Sequence, residues 1–211
     1  MKSPPRIYIL SDGGLPALVC MAIARDKAVA ASVGSDRISY PTVLAFPPEL
    51  WSDRIRMEAV TAQCETLQLA LGTRQALSAT TAGASDAEIE AGALMAAAFA
   101  AARSGASQLI WPATAGIGST VDVQRACAIQ DLAVLVSRIV SMDHADHGHP
   151  EFIIETPLAD CSDDRVADLA VDLAVPVKTC WWNRPEAPLS AGESDRWERA
   201  LRAVGSPLNA D

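Results

Sequence analysis

The chain has 211 residues and a mass of 22.2 kDa, which is the size of one compact domain. Hydrophobic residues make up 50%, charged residues 20%, and the mean hydropathy is +0.16, so the composition excludes a disordered or fibrous chain. The 17 Lys and Arg against 26 Asp and Glu leave a formal net charge of −9, which repels phosphate backbones and anionic membrane surfaces. We therefore expect neither a nucleic-acid partner nor a membrane partner.

Apolar runs and cysteines both bear on the compartment. The longest apolar run, residues 93–102, has ten residues, about half of the ~20 that a spanning helix needs. Residues 7–10 are followed at once by Ser11 and Asp12, so the apolar core of a secretory signal is missing. The five cysteines stand singly with none at CxxC spacing, which is typical of reduced, buried thiols. These features predict a cytoplasmic protein.

Short apolar runs alternate with helix-forming segments along the chain. The β-favouring runs are residues 7–10, 42–46, 109–111 and 152–154. The helical patterns are residues 15–24, 51–71, 85–103, 121–140 and 163–173. Ser85 and Glu88 supply N-cap chemistry for the third helix, and Asp160, Asp163 and Asp164 cap and charge the start of the last one.

This alternation predicts a doubly wound α/β domain, with a Rossmann-like parallel sheet and helices on both faces. We expect that domain to span residues 1–177 and a small C-terminal appendage to span residues 178–211. In such sheets, ligands bind beyond the carboxyl ends of the strands. The loops at residues 11–15, 46–49 and 112–120 should therefore converge on one crevice.

The glycine turn after the first apolar run carries a resemblance to a known family. Residues 7–24, and Gly13-Gly14-Leu15 in particular, resemble the first strand, loop and helix of the PP-loop ATP pyrophosphatases, whose loop reads Ser-Gly-Gly-Leu/Val-Asp-Ser. Glycines after a strand let the backbone approach a pyrophosphate, and the following helix N-terminus offers free N–H groups. The resemblance implies ATP, with Mg²⁺, as a cofactor. Its implied binding residues are Ser11, Asp12, Gly13, Gly14, Leu15 and Phe46.

The C-terminal part of the chain extends the resemblance. Residues 153–158, Val175-Pro176, Thr179 and residues 191–197 follow in the order and spacing of the tail of the 7-cyano-7-deazaguanine synthases, the PP-loop ligases of queuosine precursor synthesis. The resemblance thus covers nearly the whole chain. It implies an ancestral ATP-dependent ligase that releases AMP, ADP or pyrophosphate.

The zinc-binding positions of that family hold other residues here. Its four cysteines fall on Trp182, Ala191, Ser194 and Trp197, none of which supplies a thiolate. Cys180 lies two residues from the first position, and one thiolate cannot hold a structural zinc. We therefore expect no zinc, and hypothesise that the two tryptophans stabilise the tail by apolar packing.

The phosphate loop departs from the family as well. The family's Asp-Ser pair falls on Pro16 and Ala17, which removes a carboxylate and a hydroxyl, and Pro16 donates no N–H. Asp12 would repel a polyphosphate unless it held Mg²⁺. No catalytic residue is therefore assigned.

The substrate loop of the family is matched loosely by residues 113–120. The candidate substrate-contacting residues are Thr114, Gly116, Gly118, Asp122 and Arg125. The small residues leave room for a phosphate or a nucleobase, or they form a flexible connection.

A cluster of three histidines, His144, His147 and His149, is the one composition that favours a metal ion. Its spacing matches no standard zinc motif, and the turn signals Gly148 and Pro150 favour a solvated loop instead.

Together these departures predict a degenerate PP-loop protein without ligase activity, in which binding of an adenine nucleotide is retained as a sub-case. One alternative is an active AMP-forming ligase that acts on a different carboxylate. A second is a non-enzymatic interaction module, whose acidic surface and tryptophan-bearing tail form a homodimer or another partner interface.

Overall fold

The computed structural model describes residues 6–33, 38–47, 53–72, 85–145, 151–184 and 191–205. Its strands are β1 (Arg6–Ser11), β2 (Thr42–Ala45), β3 (Ala70–Leu71), β4 (Ala106–Ile110), β5 (Gly116–Ile117), β6 (Thr120–Val121) and β7 (Ile153–Glu155). Its α-helices are α1 (Leu15–Ala31), α2 (Arg54–Leu67), α3 (Asp86–Arg103), α4 (Val123–Ala145), α5 (Asp163–Asp172) and α6 (Ala191–Ala203). Two 3₁₀ turns, Val177–Thr179 and Trp181–Asn183, connect α5 to α6.

Five strands form one sheet in the order β3-β2-β1-β4-β7. All neighbouring pairs in it are parallel, and β5 and β6 form a separate antiparallel ribbon. The chain winds outward from β1 to β3 and then crosses to the other side of β1, so the strand order reverses between β1 and β4. The prediction of a doubly wound, Rossmann-like α/β fold is confirmed.

Two apolar cores cover the two faces of the sheet. The first contains Leu18 of α1, Val60 of α2 and Val166 of α5. The second contains Leu94 of α3 and Ile129 of α4. Strands buried on both faces cannot alternate apolar with polar residues, which explains the unbroken apolar runs of the sequence.

The segment after α5 shares the first core. Trp182 and Trp197 are 2% and 1% exposed and belong to the same cluster as Leu15 and Val19 of α1. The tail therefore packs on the α/β domain through apolar side chains, and all three of its tryptophans, Trp181 among them, belong to that core.

The end of the second helical segment differs from the prediction. The pattern at residues 51–71 predicts one helix, but α2 ends at Leu67, and Gln68 follows in the left-handed conformation with φ of 57°. The chain then forms the edge strand β3, in which Ala70 pairs with Thr42 of β2. The helical prediction was wrong there because Leu71 fits the helical period of the preceding apolar residues as well as it fits a strand.

Candidate functional site

A cleft of about 330 Å³ lies at the carboxyl ends of β1, β2 and β4. Three loops contribute Ser11, Asp12, Gly14, Phe46, Pro47, Pro112, Ala113 and Thr114 to its lining. These loops therefore meet in one crevice, beside the point where the strand order reverses, as the topology predicts.

The glycine turn at the floor of the cleft is closed by its own side chains. The N–H of Gly13 donates to Ser11 Oγ at 3.2 Å, and the N–H of Gly14 donates to Asp12 Oδ1 at 2.8 Å. Gly14 is the N-cap of α1, and Pro16 lies in the first turn. Two backbone donors that an anion would use at a helix N-terminus are thus occupied from within the chain.

The glycine turn also contacts α2 and the 3₁₀ turn that begins at Trp181. The carbonyl of Gly13 accepts from Gln63 Nε2 at 2.9 Å and from the N–H of Trp181 at 3.1 Å. Gly13 has φ of +78°, and a Cβ there would lie 3.0 Å from Ala59 Cβ and 3.1 Å from the carbonyl oxygen of Arg56. The glycine is therefore required by the backbone conformation and by the close approach of α2, whatever the cleft binds.

Asp12 is the acidic group nearest the turn, and its surroundings make its ionised form costlier than in water. Burial raises the pKa of Asp12 above its ordinary value, and the negative charge of Glu193 raises it further. The N–H of Gly14 and the Arg56 guanidinium act in the opposite direction and offset part of this rise. An incoming anion would place a further negative charge beside Asp12 and so raise the cost of ionising its carboxyl group.

Two of the three arginines that line the cleft form ion pairs with acidic side chains of the same chain. Arg125 Nη2 donates to both carboxylate oxygens of Glu90, at 2.7 and 2.8 Å. Arg56 Nε lies 3.5 Å from Asp53 Oδ2, and its guanidinium stacks 4.2 Å from the ring centroid of Trp181.

The third arginine, Arg196 of α6, forms the most buried ion pair among the described residues. Its Nη2 and Nε donate to the two oxygens of Asp163, at 2.6 and 2.9 Å, and Asp163 is only 2% exposed. Nη2 also donates to the carbonyl of Gly116 at 3.2 Å, while Asp163 Oδ2 accepts from the N–H of Gly118 at 2.9 Å. This network joins α6, the β5–β6 ribbon and the start of α5.

Aromatic side chains form the walls of the cleft. The aromatic lining residues are Phe46, Trp111, Trp181 and Trp197. The guanidinium of Arg196 lies 4.6 Å from the ring centroid of Trp197, whose indole N–H donates to Glu193 at 2.8 Å. A lining of apolar atoms and paired charges suits a small uncharged ligand better than a flexible anionic one.

The candidate residues predicted from the sequence divide into four groups. Ser11, Asp12, Gly14, Phe46, Thr114 and Arg125 line the cleft. Gly13 lies against α2 and Leu15 is fully buried in the first core. Gly116 and Gly118 line a second hollow of about 410 Å³ that shares Arg196 with the cleft. Asp122 accepts from the N–H of Arg125 at 3.0 Å and so satisfies a donor in the first turn of α4.

Several lining residues were not predicted from the sequence. They are Arg56, Glu90, Trp111, Trp181, Glu193, Arg196 and Trp197. Asp163 was interpreted as a charge at a helix start, and it does lie in the first turn of α5, but its carboxylate is used for Arg196. The adjacent Trp181 and Trp182 both belong to the first core, and Trp181 also lines the cleft.

The predicted histidine cluster falls mostly outside the described residues. His147 and His149 lie beyond them, and His144 lies in the last turn of α4. Within the ranges that the structure describes, no three His, Cys, Asp or Glu side chains form a group that could hold a metal ion. Among the same residues, no helix combines the length and apolar character needed to cross a bilayer.

Comparison with known proteins identifies no family for this chain. No protein-family model matches the chain. No curated protein matches its sequence either. The resemblance to the PP-loop ligases stays a prediction, and the function is inferred from the geometry of the cleft.

Proposed function

We propose that the chain is a PP-loop-like protein without ligase activity, whose cleft binds a small flat molecule of nucleobase or nucleoside type and does not take up the polyphosphate of ATP. The observation that carries the proposal is the glycine turn, because Ser11 and Asp12 occupy the N–H groups of Gly13 and Gly14. In a phosphate-binding loop those donors face the ligand.

A polyphosphate would have to displace the Asp12 carboxylate from Gly14. The displaced carboxylate would stay beside the incoming negative charge, in a partly buried site where Coulomb repulsion is weakly screened. The turn therefore disfavours an anion through both a lost hydrogen bond and a repulsive charge.

The arginines of the cleft do not offset this repulsion of an anion. Its ionisable lining consists of three arginines, Arg56, Arg125 and Arg196, and three acids, Asp12, Glu90 and Glu193, so the formal charges cancel. Arg125 and Arg196 are both held by two oxygens of a carboxylate. Using either arginine for a phosphate would leave Glu90 or the buried Asp163 without its cation.

An aromatic ring is the part of a nucleotide that this lining does accommodate. Trp181 and Trp197 are 6% and 1% exposed and contribute only the edge of their apolar surface to the cleft, while Phe46 and Thr114 line it from the strand-end loops. A volume of about 330 Å³ is at the small end of ligand sites, which suits a nucleobase or nucleoside.

Calorimetric titration of adenine, adenosine, AMP and ATP, each with and without Mg²⁺, tests the proposal. We expect adenosine to bind more tightly than ATP, with affinity falling as phosphates are added. Asp12→Asn, which keeps an acceptor for Gly14 but removes the charge, should narrow the difference between adenosine and ATP at neutral pH. Asp172→Asn, on the exposed end of α5, is the matched control and should leave both affinities unchanged.

Three results would contradict parts of the proposal. Tighter binding of ATP than of adenosine, dependent on Mg²⁺ and lost in Asp12→Asn, would favour an active ligase with Mg²⁺ at Asp12. Release of AMP from ATP in the presence of carboxylates would contradict the absence of ligase activity. Lack of binding by all four compounds would exclude adenine-type ligands from the cleft.

A further inference from the structure

Helix α4 has a second apolar face that points away from the sheet. Its inner face packs in the second core through residues such as Val136 and Val140. On the outer face, Val134 is 54% exposed, Leu135 58%, and Met142 73%. A helix that covers a sheet needs only one apolar stripe, so packing on the sheet does not account for the outer stripe.

Two charged residues, Asp131 and Arg138, lie within this outer face. Both are exposed, and neither forms an ion pair among the described residues. They are seven residues apart on one helix, which places them about 20° apart around its axis and about 10 Å apart along it. They are therefore aligned on the same face, but too far apart to pair with each other.

The arrangement is symmetric about one point of the helix. Asp131 lies three residues before Val134, and Arg138 lies three residues after Leu135. A two-fold axis beside the Val134–Leu135 peptide, perpendicular to α4, would bring a second α4 alongside in the antiparallel direction. Asp131 would then face Arg138 of the second copy, and Arg138 would face Asp131 of the second copy. A parallel arrangement would place like charges together instead.

We propose that the outer face of α4 is an isologous interface that binds a second copy of this chain in the antiparallel direction. Val134 and Leu135 pack on their counterparts at the centre, and two identical ion pairs lie on either side. The proposal is independent of the cleft, because none of these residues lines it.

Sedimentation equilibrium of the full chain and of charge-reversed variants tests the interface. The wild-type chain should show twice the monomer mass of 22.2 kDa. Asp131→Arg and Arg138→Asp should each raise the dimer dissociation constant by about tenfold or more, because each places like charges opposite one another twice. An equimolar mixture of the two variants should recover the dimer mass, since both contacts become Arg–Asp pairs in the mixed dimer. The double variant Asp131→Arg/Arg138→Asp should also dimerise.

Controls distinguish the interface from a general effect of charge or folding. Asp172→Arg reverses an exposed charge on α5 and should leave the dimer unchanged. Circular dichroism should show the same helix content in every variant, and the double variant keeps the test usable if one single variant fails to fold. A wild-type chain that stays monomeric up to millimolar concentration would overturn the proposal. So would single variants that dimerise as well as the wild type, or a mixture that gains no dimer over its components.

Discussion

The cleft and the outer face of α4 both combine apolar side chains with charged ones, but only the charges of the cleft are paired within the described part of the chain. In the cleft, Arg125 and Arg196 hold carboxylates of their own chain at hydrogen-bond distance. On α4, Asp131 and Arg138 lie among exposed apolar side chains and have no ion-pair partner within the described ranges. A cluster of arginines therefore does not by itself mark an anion site.

The difference has a physical basis in what each charge would lose. A buried carboxylate such as Asp163 pays a large desolvation cost unless its cation stays with it, so the pair is committed to holding the fold. An exposed charge such as Asp131 remains hydrated and can form an ion pair with another molecule. We therefore expect substitutions in the two regions to affect different properties, stability in the cleft and association on α4.

The largest expected effect comes from removing the buried cation of the cleft. Arg196→Ala should lower the free energy of unfolding by roughly 3 kcal/mol, because it leaves the Asp163 carboxylate buried and uncompensated. Arg138→Ala is the matched change on α4 and should alter that free energy by less than about 0.5 kcal/mol. Urea denaturation at concentrations where the chain is monomeric measures both. Equal costs for the two variants would remove the contrast between the regions.

A smaller effect is expected at the floor of the cleft. Gly13→Ala should cost roughly 2 kcal/mol, because a Cβ must adopt φ of +78° and crowd Ala59 of α2. Gly118→Ala should cost only about 1 kcal/mol, since Gly118 also has positive φ but a Cβ there meets nothing within 4 Å. Thermal unfolding of both variants isolates the crowding by α2. If Gly13→Ala were no costlier than Gly118→Ala, the turn would not be held as tightly as the structure indicates.

The smallest expected effect is a dependence of stability on pH. Because burial raises the pKa of Asp12, the folded state favours its protonated form. This contribution is fully present below the pKa of an unfolded aspartate, about 3.9, and is lost as the pH rises through the raised folded pKa. The stability of the wild type should therefore fall relative to Asp12→Asn as pH increases from acid toward neutral. Urea denaturation of both proteins across this range would show a constant difference if Asp12 were not perturbed.

Local patterns in the sequence predicted much of the fold. The expected N-cap at Ser85 is present as a capping box, in which the side chain of Ser85 accepts from the N–H of Glu88 and Glu88 bonds back. The glycine turn between the first strand and helix is present as well, with Gly14 as the N-cap of α1. Both depend on residues within a few positions of one another, which is why composition and spacing suffice.

The site was predicted less completely than the fold. The sequence placed Ser11, Asp12 and Gly14 at the cleft because a strand end and a turn are local signals. It did not identify Arg196, which reaches the cleft only because α6 packs beside α5. Nor did it indicate that Trp181 meets the cleft while Trp182 does not, since both side chains are buried and only the packing of neighbouring elements decides which one lines the cleft.

The alternation of apolar runs with helical segments was enough to predict the doubly wound topology, because short apolar runs separated by helices have few other ways to bury their surface. It did not predict the edge strand β3, whose residues also fit a helical pattern. The pairing of polar and charged groups around the cleft depends on the tertiary structure. Arg125 meets Glu90 across 35 residues of chain, Gln63 meets Gly13 across 50, and Arg196 meets Asp163 across 33. Such pairings depend on the distance between packed elements, and no local pattern of residues encodes that distance.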